Sequence, residues 1–177
     1  MKAVAGALGR IGNAASAQAL QKALPKASAQ NKLPVIEGLF RCAETLAAEG
    51  RRRPALAIYD QLLKLDGPHQ ARGGALRGAI LTSTNSRQMK LLQEHLRSND
   101  YILFSAAVQA AMEIPGGAVT DALAQAMKGR PADNQVLLIQ ALGLRGDETA
   151  MPALTAAVEG RETPVRVAAI RAMTEIA

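Results

Sequence analysis

The sequence predicts an all-α protein, and within that class an α-solenoid (an α-α superhelix) of about five helical hairpins behind an initial half-repeat. Three observations carry this reading. Hydrophobic residues make up 49% of the chain but aromatics only 2%, so the apolar content is Ala, Leu, Val, Ile and Met, which suits close-packed thin helices better than a sheet. Turn residues punctuate the chain at short intervals. A segment near the beginning also recurs near the end in a single register.

That recurrence pairs Gly6-Ala7-Leu8-Gly9-Arg10-Ile11-Gly12-Asn13 with Gln140-Ala141-Leu142-Gly143-Leu144-Arg145-Gly146-Asp147. It continues as Ala17, Leu20 and Leu24 against Met151, Leu154 and Val158, at a constant offset of 134. Weaker copies lie between. Leu8, Leu39, Leu76, Met112, Leu142 and Met173 take one equivalent position, each late in a helix rich in Ala and Gly. Asn13, Asn85 and Asp147 form a second series, each opening the next helix, where an Asx side chain can cap free N–H groups.

The elements follow from this frame as alternating A and B helices. A B helix over 1–11 opens the chain; its apolar run is short and Gly-broken, so it belongs to the repeat pattern and not to a targeting segment. Hairpins then pair 14–24 with 31–49, 52–65 with 69–83, 86–97 with 100–113, 118–128 with 132–144, and 148–159 with 164–176. Gly50, Asp66-Gly67-Pro68, Ser98-Asn99-Asp100, Pro115-Gly116-Gly117, Gly129-Arg130-Pro131, Gly146-Asp147 and Gly160 separate them. Pro54, Pro68, Pro131 and Pro164 stand near helix starts, where a missing N–H costs little; Pro34 and Pro152 fall in or just beyond a first turn and are expected to bend their helices. One short hairpin cannot hide its apolar stripe, so stacked hairpins share a core, and 1–177 is expected to form a single domain.

The 21 Lys and Arg against 15 Asp and Glu leave a formal charge of +6, which permits an anionic partner without identifying one. The one cysteine, Cys42, excludes an internal disulfide and a Cys-based metal site, and its apolar helical setting reads as a buried thiol. No apolar run reaches the ~20 residues of a membrane span. His69 and His95 are the only histidines, and Glu94-His95 lacks the second His that a zinc-protease helix carries. Arg72-Gly73-Gly74-Ala75-Leu76-Arg77-Gly78 neither follows a strand nor ends as a phosphate loop does. The carboxylates are scattered over polar faces, and no Gly-x-Ser-x-Gly elbow occurs. The expectation is a non-catalytic chain with no metal and no cofactor.

Ala-Leu-Gly-x-x-Gly-(Asn/Asp) closing one helix, followed by a short helix with spaced Leu, resembles bacterial HEAT-like (PBS-lyase-type) repeats. The resemblance is carried by 4–24, 136–158 and 164–176, under half of the chain; the other hairpins fit by periodicity. Residues 42–65, where a small-residue helix meets a Gly turn and then Ala-Leu-x-x-Tyr, look more like a tetratricopeptide hairpin. The mixture is similar to HEAT-rich segments of large, modular, often exported bacterial proteins. That resemblance implies an armadillo-like, HEAT-type scaffold: a protein-binding or spacer module whose partner is another protein or neighbouring domains of one parent chain. Because Leu8 and Ile11 expect a preceding A helix and Ile176-Ala177 close without a polar cap, the chain reads as a segment of a longer protein, with end-to-end self-association as the alternative. Its compartment would be extracytoplasmic or periplasmic if it belongs to an exported parent, and cytoplasmic otherwise.

In such stacks the B helices line the concave side, which the resemblance carries over by helix position. Aligning on the repeated Leu/Met gives two candidate partner-binding rows. One holds Lys32, His69, Ser105, Gln135 and Arg166, and the other Glu37, Gly74, Ala110, Gln140 and Arg171. Arg51-Arg52-Arg53 with Arg41 form the densest basic cluster, and positive charge at a helix start opposes the macrodipole. The second functional expectation is a nucleic-acid-binding array resembling the DNA-glycosylase branch of helical-repeat proteins. Phe40, Tyr59, Tyr101 and Phe104 all sit at helix-core spacing, which leaves few stacking partners for bases.

Overall fold

The computed structural model describes residues 2–65 and 67–176; Met1, which the expected first helix included, Asp66 of the expected turn and Ala177 lie outside the described residues. Those residues form eleven α-helices and no strand. They are α1 (Lys2–Ile11), α2 (Ala14–Ala23), α3 (Ala29–Ala48), α4 (Arg52–Leu63), α5 (His69–Thr82), α6 (Asn85–Leu96), α7 (Tyr101–Glu113), α8 (Gly117–Ala126), α9 (Ala132–Arg145), α10 (Met151–Val158) and α11 (Thr163–Ile176). Single 3-10 turns at Leu24–Lys26 and Glu148–Ala150 extend α2 and precede α10.

The boundaries have local causes. Gly12 (φ +68°) and Gly146 (φ +64°) turn the chain out of α1 and α9 in the left-handed region that favours glycine. The residue after each then caps the next element: Asn13 accepts from the Ser16 N–H at 2.9 Å, and Asp147 from the Thr149 N–H at 3.0 Å. Asp100 does the same for α7, accepting from the Ile102 N–H at 3.0 Å. Asn85 departs from the expected series: it is the first helical residue of α6, with φ +40°, a region Asn tolerates better than most residues. Pro34 does not break α3, which starts at Ala29 and runs through it. The carbonyl that Pro34 leaves without an intrahelical donor belongs to Gln30, an exposed residue. Pro152 sits in the first turn of α10, where its missing N–H is harmless.

Contacts group the chain into two compact units, residues 1–88 and 89–177, with the division inside α6. In the first unit α1, α3 and α5 lie side by side, α2 packs against α4, and the hairpins α2–α3 and α4–α5 join the two layers. Leu39, Cys42 and Leu46 of α3, Ile58 and Leu62 of α4, and Leu76 and Ile80 of α5 fill the space between them. In the second unit α7, α9 and α11 lie side by side, with hairpins α8–α9 and α10–α11. Its core holds Phe104, Leu123, Leu138, Leu142 and Leu154.

In each unit one pair of adjacent odd-numbered helices touches through small residues. A Cβ at Gly9 would stand 2.9 Å from the Gly38 Cα across the α1–α3 crossing. A Cβ at Gly143 would stand 2.9 Å from the Ala172 Cα across the α9–α11 crossing. Both partners keep the offset of 134 seen in the sequence, so the repeat in residues is also a repeat in packing.

The series of six apolar residues divides in its burial. Leu39, Leu76 and Leu142 are fully buried, whereas Leu8, Met112 and Met173 are half-buried. In α7, Ala110 is 0% exposed, which corrects its place in the second surface row; Gln109, one residue earlier, is the exposed one. Four of the buried residues of α7 are alanines (Ala106, Ala107, Ala110 and Ala111), so its outward face is weakly marked and alignment on Met112 misses by a residue.

Candidate functional site

Where two helices cross on a Gly or Ala their axes come close, and the larger side chains a turn away hold open a groove. The α1–α3 groove, of about 360 Å³, is lined by Lys2, Gly6, Arg10, Pro34, Glu37 and Arg41. The α3–α5 groove, about 440 Å³, is lined by Phe40, Glu44, Arg52, Tyr59, Arg77 and Gly78 among others. In the second unit the α9–α11 groove, about 400 Å³, is lined by Val136, Gln140, Leu144, Val167, Arg171 and Glu175.

The first and third grooves are the same position of the repeat with different chemistry. Gly6, Arg10, Glu37 and Arg41 correspond to Gln140, Leu144, Arg171 and Glu175 at the offset of 134. The pair from the third helix has its charges exchanged, and a cation from the first is replaced by a leucine. The α9–α11 groove is therefore left with one cation and one carboxylate, beside Leu144 and Val167, which are 72% and 42% exposed. The α1–α3 groove carries three cations and one carboxylate. On its floor, the positions where Gly6 and Gly9 lack a Cβ lie 3.7 Å from Arg10 Nη1 and 3.3 Å from Arg41 Cδ. The glycine at position 9 thus gives the Arg41 stem room along the groove, whereas a Cβ at Gly6 would make only ordinary contact with Arg10. Among the described residues neither arginine is held in an ion pair.

The expected rows separate. Glu37, Gly74, Gln140 and Arg171 of the second row all line these grooves. The first row sits at or near the starts of the odd-numbered helices, and two members serve their own hairpins. Gln135 donates through Nε2 to the Arg130 carbonyl at 2.7 Å, and Arg166 through Nε to the Val158 carbonyl at 3.2 Å. His69 is the exposed first residue of α5, while Lys32 and Ser105 are half-buried.

The basic cluster is likewise divided. Arg41 lies in the α1–α3 groove and Arg52 in the α3–α5 groove. Arg51 is 3.9 Å from Glu49, and Arg53 is exposed.

Tyr59 is buried against Gly78, with Phe40 6.3 Å away between ring centroids. Burial, helped by the nearby Glu44 carboxylate, pushes the Tyr59 hydroxyl above its ordinary pKa. Burial also raises the Cys42 thiol, whose Sγ lies 3.7 Å from the Leu8 carbonyl. His95 Nδ1 is 2.9 Å from the Leu91 carbonyl one turn back. Among the described residues no group of three His, Cys, Asp or Glu side chains could hold a metal, and no helix is long and apolar enough to cross a membrane.

Sequence reasoning missed two arginine staples in the second unit. Arg145 donates through Nη1 to the carbonyls of Ala111 and Ile114, through Nη2 to Gly116 and through Nε to Thr120 Oγ1. It thus satisfies the Ala111 carbonyl in the last turn of α7, which has no partner within its own helix, together with two carbonyls of the α7–α8 turn. Thr120, fully buried, donates in turn to Asp147 Oδ2 at 2.8 Å. Arg130 donates to the carbonyls of Arg97 at 3.2 Å and Ser98 at 2.7 Å, with its guanidinium 4.9 Å from the centroid of the Phe104 ring. For Arg145 the available signal was an arginine in the last turn of a helix beside a Gly-Asp pair, a pattern as common on solvated surfaces; Arg130 lies in a turn between Gly129 and Pro131.

Charge is divided as unevenly as the grooves are. Residues 1–88 hold thirteen Lys and Arg against five Asp and Glu, a balance of +8, and residues 89–177 hold eight against ten, a balance of −2. The chain matches no protein-family model and no curated protein.

Proposed function

We propose that the chain is an α-solenoid of HEAT-like hairpins, acting as a non-catalytic interaction or spacer module that binds a protein partner through the face of its odd-numbered (B) helices. One observation carries this reading: the α1–α3 and α9–α11 grooves repeat the same crossing while their linings differ. A packing frame held constant beneath variable exposed residues is what a recognition surface needs, since the frame maintains the fold and the lining chooses the ligand. The partner is another protein or a domain of the same parent chain.

A photo-crosslinking residue placed at position 140 should give discrete adducts with protein in source-cell extract, whereas one at Gln18, exposed on α2, should give few. Equal labelling from both positions would sink the assignment to this face. The second reading, nucleic-acid binding, is favoured by the balance of +8 in residues 1–88. It requires affinity for duplex DNA or RNA that falls steeply with salt, which a filter-binding titration measures.

A further inference from the structure

We propose that the first unit binds an extended acidic peptide segment laid across α1, α3 and α5, with its carboxylates spaced about three residues apart. This rests on the reading that the odd-helix face is the binding surface, and names the class of partner. The α1–α3 groove offers Arg10 and Arg41 over a glycine floor, and the α3–α5 groove offers Arg52 and Arg77 beside Glu44. Each groove has more cations than carboxylates, so each accepts an added negative charge.

The spacing follows from geometry. Packed helices lie ~8–10 Å apart, and an extended chain advances ~3.3 Å per residue, so neighbouring grooves are about three residues apart along a crossing strand. Glu37 and Glu44, both exposed on α3, stand with the cations of the two grooves. With one carboxylate already in each groove, they repel a ligand with charge at every step and tolerate one that brings a single charge to each groove. A nucleic-acid strand carries a phosphate on every nucleotide and also needs exposed aromatic faces for its bases. Here Tyr59 is buried and Phe40 half-buried, so the observations favour a peptide.

The test uses the full chain and two fluorescein-labelled twelve-residue Gly/Ser peptides of equal composition, one with four Glu at every third position and one with the four in a block. Anisotropy at low salt should show the spaced peptide binding at least fivefold more tightly. Arg10→Glu with Arg41→Glu should weaken it at least tenfold, and the milder Arg10→Gln with Arg41→Gln by an intermediate factor, with circular dichroism unchanged. Arg171→Glu in the second unit should change it less than twofold. Equal binding of the two peptides, or no loss on charge reversal, would overturn the proposal. So would oligothymidine outcompeting the spaced peptide. If a matched Gln peptide binds and is lost only on Arg171→Glu, the acidic assignment fails while the odd-helix face stands. If no peptide binds wild type at all, both fail.

Discussion

Gly6, Gly9 and Gly143 are all helix-interior glycines, and for each the helix would gain about 1 kcal/mol from alanine on propensity alone. Their surroundings decide the sign of the net effect. At Gly6 the nearest atom to an added Cβ is Arg10 Nη1, 3.7 Å away on a flexible side chain, so Gly6→Ala should stabilise the chain by about 0.5–1 kcal/mol. At Gly9 and Gly143 the Cβ would stand 2.9 Å from backbone across the crossing. Forcing those helices apart should leave each alanine variant about 1–3 kcal/mol less stable, as urea titration would measure. Cys42, buried with a raised pKa, should be inert to a thiol reagent until denaturant opens the fold; rapid reaction in the native state would contradict its burial. The sequence marked Gly9 and Gly143 through their shared motif, but not Gly38 or Ala172. Those two match only as small residues, and that resemblance carries meaning only once the helices are seen to cross.

Helices and their ends were largely legible, because apolar periodicity and Gly, Pro and Asx punctuation are local signals. What joins one hairpin to the next was not. Arg145 is held by carbonyls of residues 111, 114 and 116, and no local rule pairs an arginine with a helix end thirty residues earlier. Arg145→Ala should cost about 2–3 kcal/mol, since it leaves partly buried carbonyls without donors, and Arg145→Lys should recover part of that loss. Asp147 accepts from Thr149 and Thr120, which hold its carboxyl below the ordinary value, with Arg145 a minor contributor. A depressed folded pKa contributes stability that is complete above the unfolded value, near pH 4, and is lost as pH falls through the folded one. Wild type should therefore exceed Asp147→Asn in stability at pH 7, and the gap should narrow below about pH 4. A gap unchanged down to pH 2 would show that the carboxylate charge plays no part.

At the scale of the whole molecule, the all-helical class could be read from composition and periodicity, whereas the grooves could not. Their second-row residues were found by counting from a repeated leucine, and that count failed at Ala110, where alanine covers most of the helix surface and erases the pattern. The split of charge could have been counted in the sequence, but it has meaning only once a boundary is placed at residue 88. Packing between neighbouring helices, as the contacts within each unit describe, limits how far damage spreads. Leu142→Ala should cost about 2–5 kcal/mol. In hydrogen exchange the loss should be largest in α9, fall off through α8 and α11, and be small in α3. Uniform loss across all helices would mean the chain unfolds as a single cooperative block.

The shared crossing makes the grooves exchangeable parts. Because Gly9 meets Gly38 as Gly143 meets Ala172, the outward side chains of one groove can be transplanted onto the other without disturbing the buried seam. A chain carrying Val136→Lys, Gln140→Gly, Leu144→Arg, Arg171→Glu and Glu175→Arg would own two copies of the charged lining of the basic groove. A lineage with such a frame can duplicate a hairpin, keep its interior and rewrite its exterior, so that specificity changes while the fold is inherited intact.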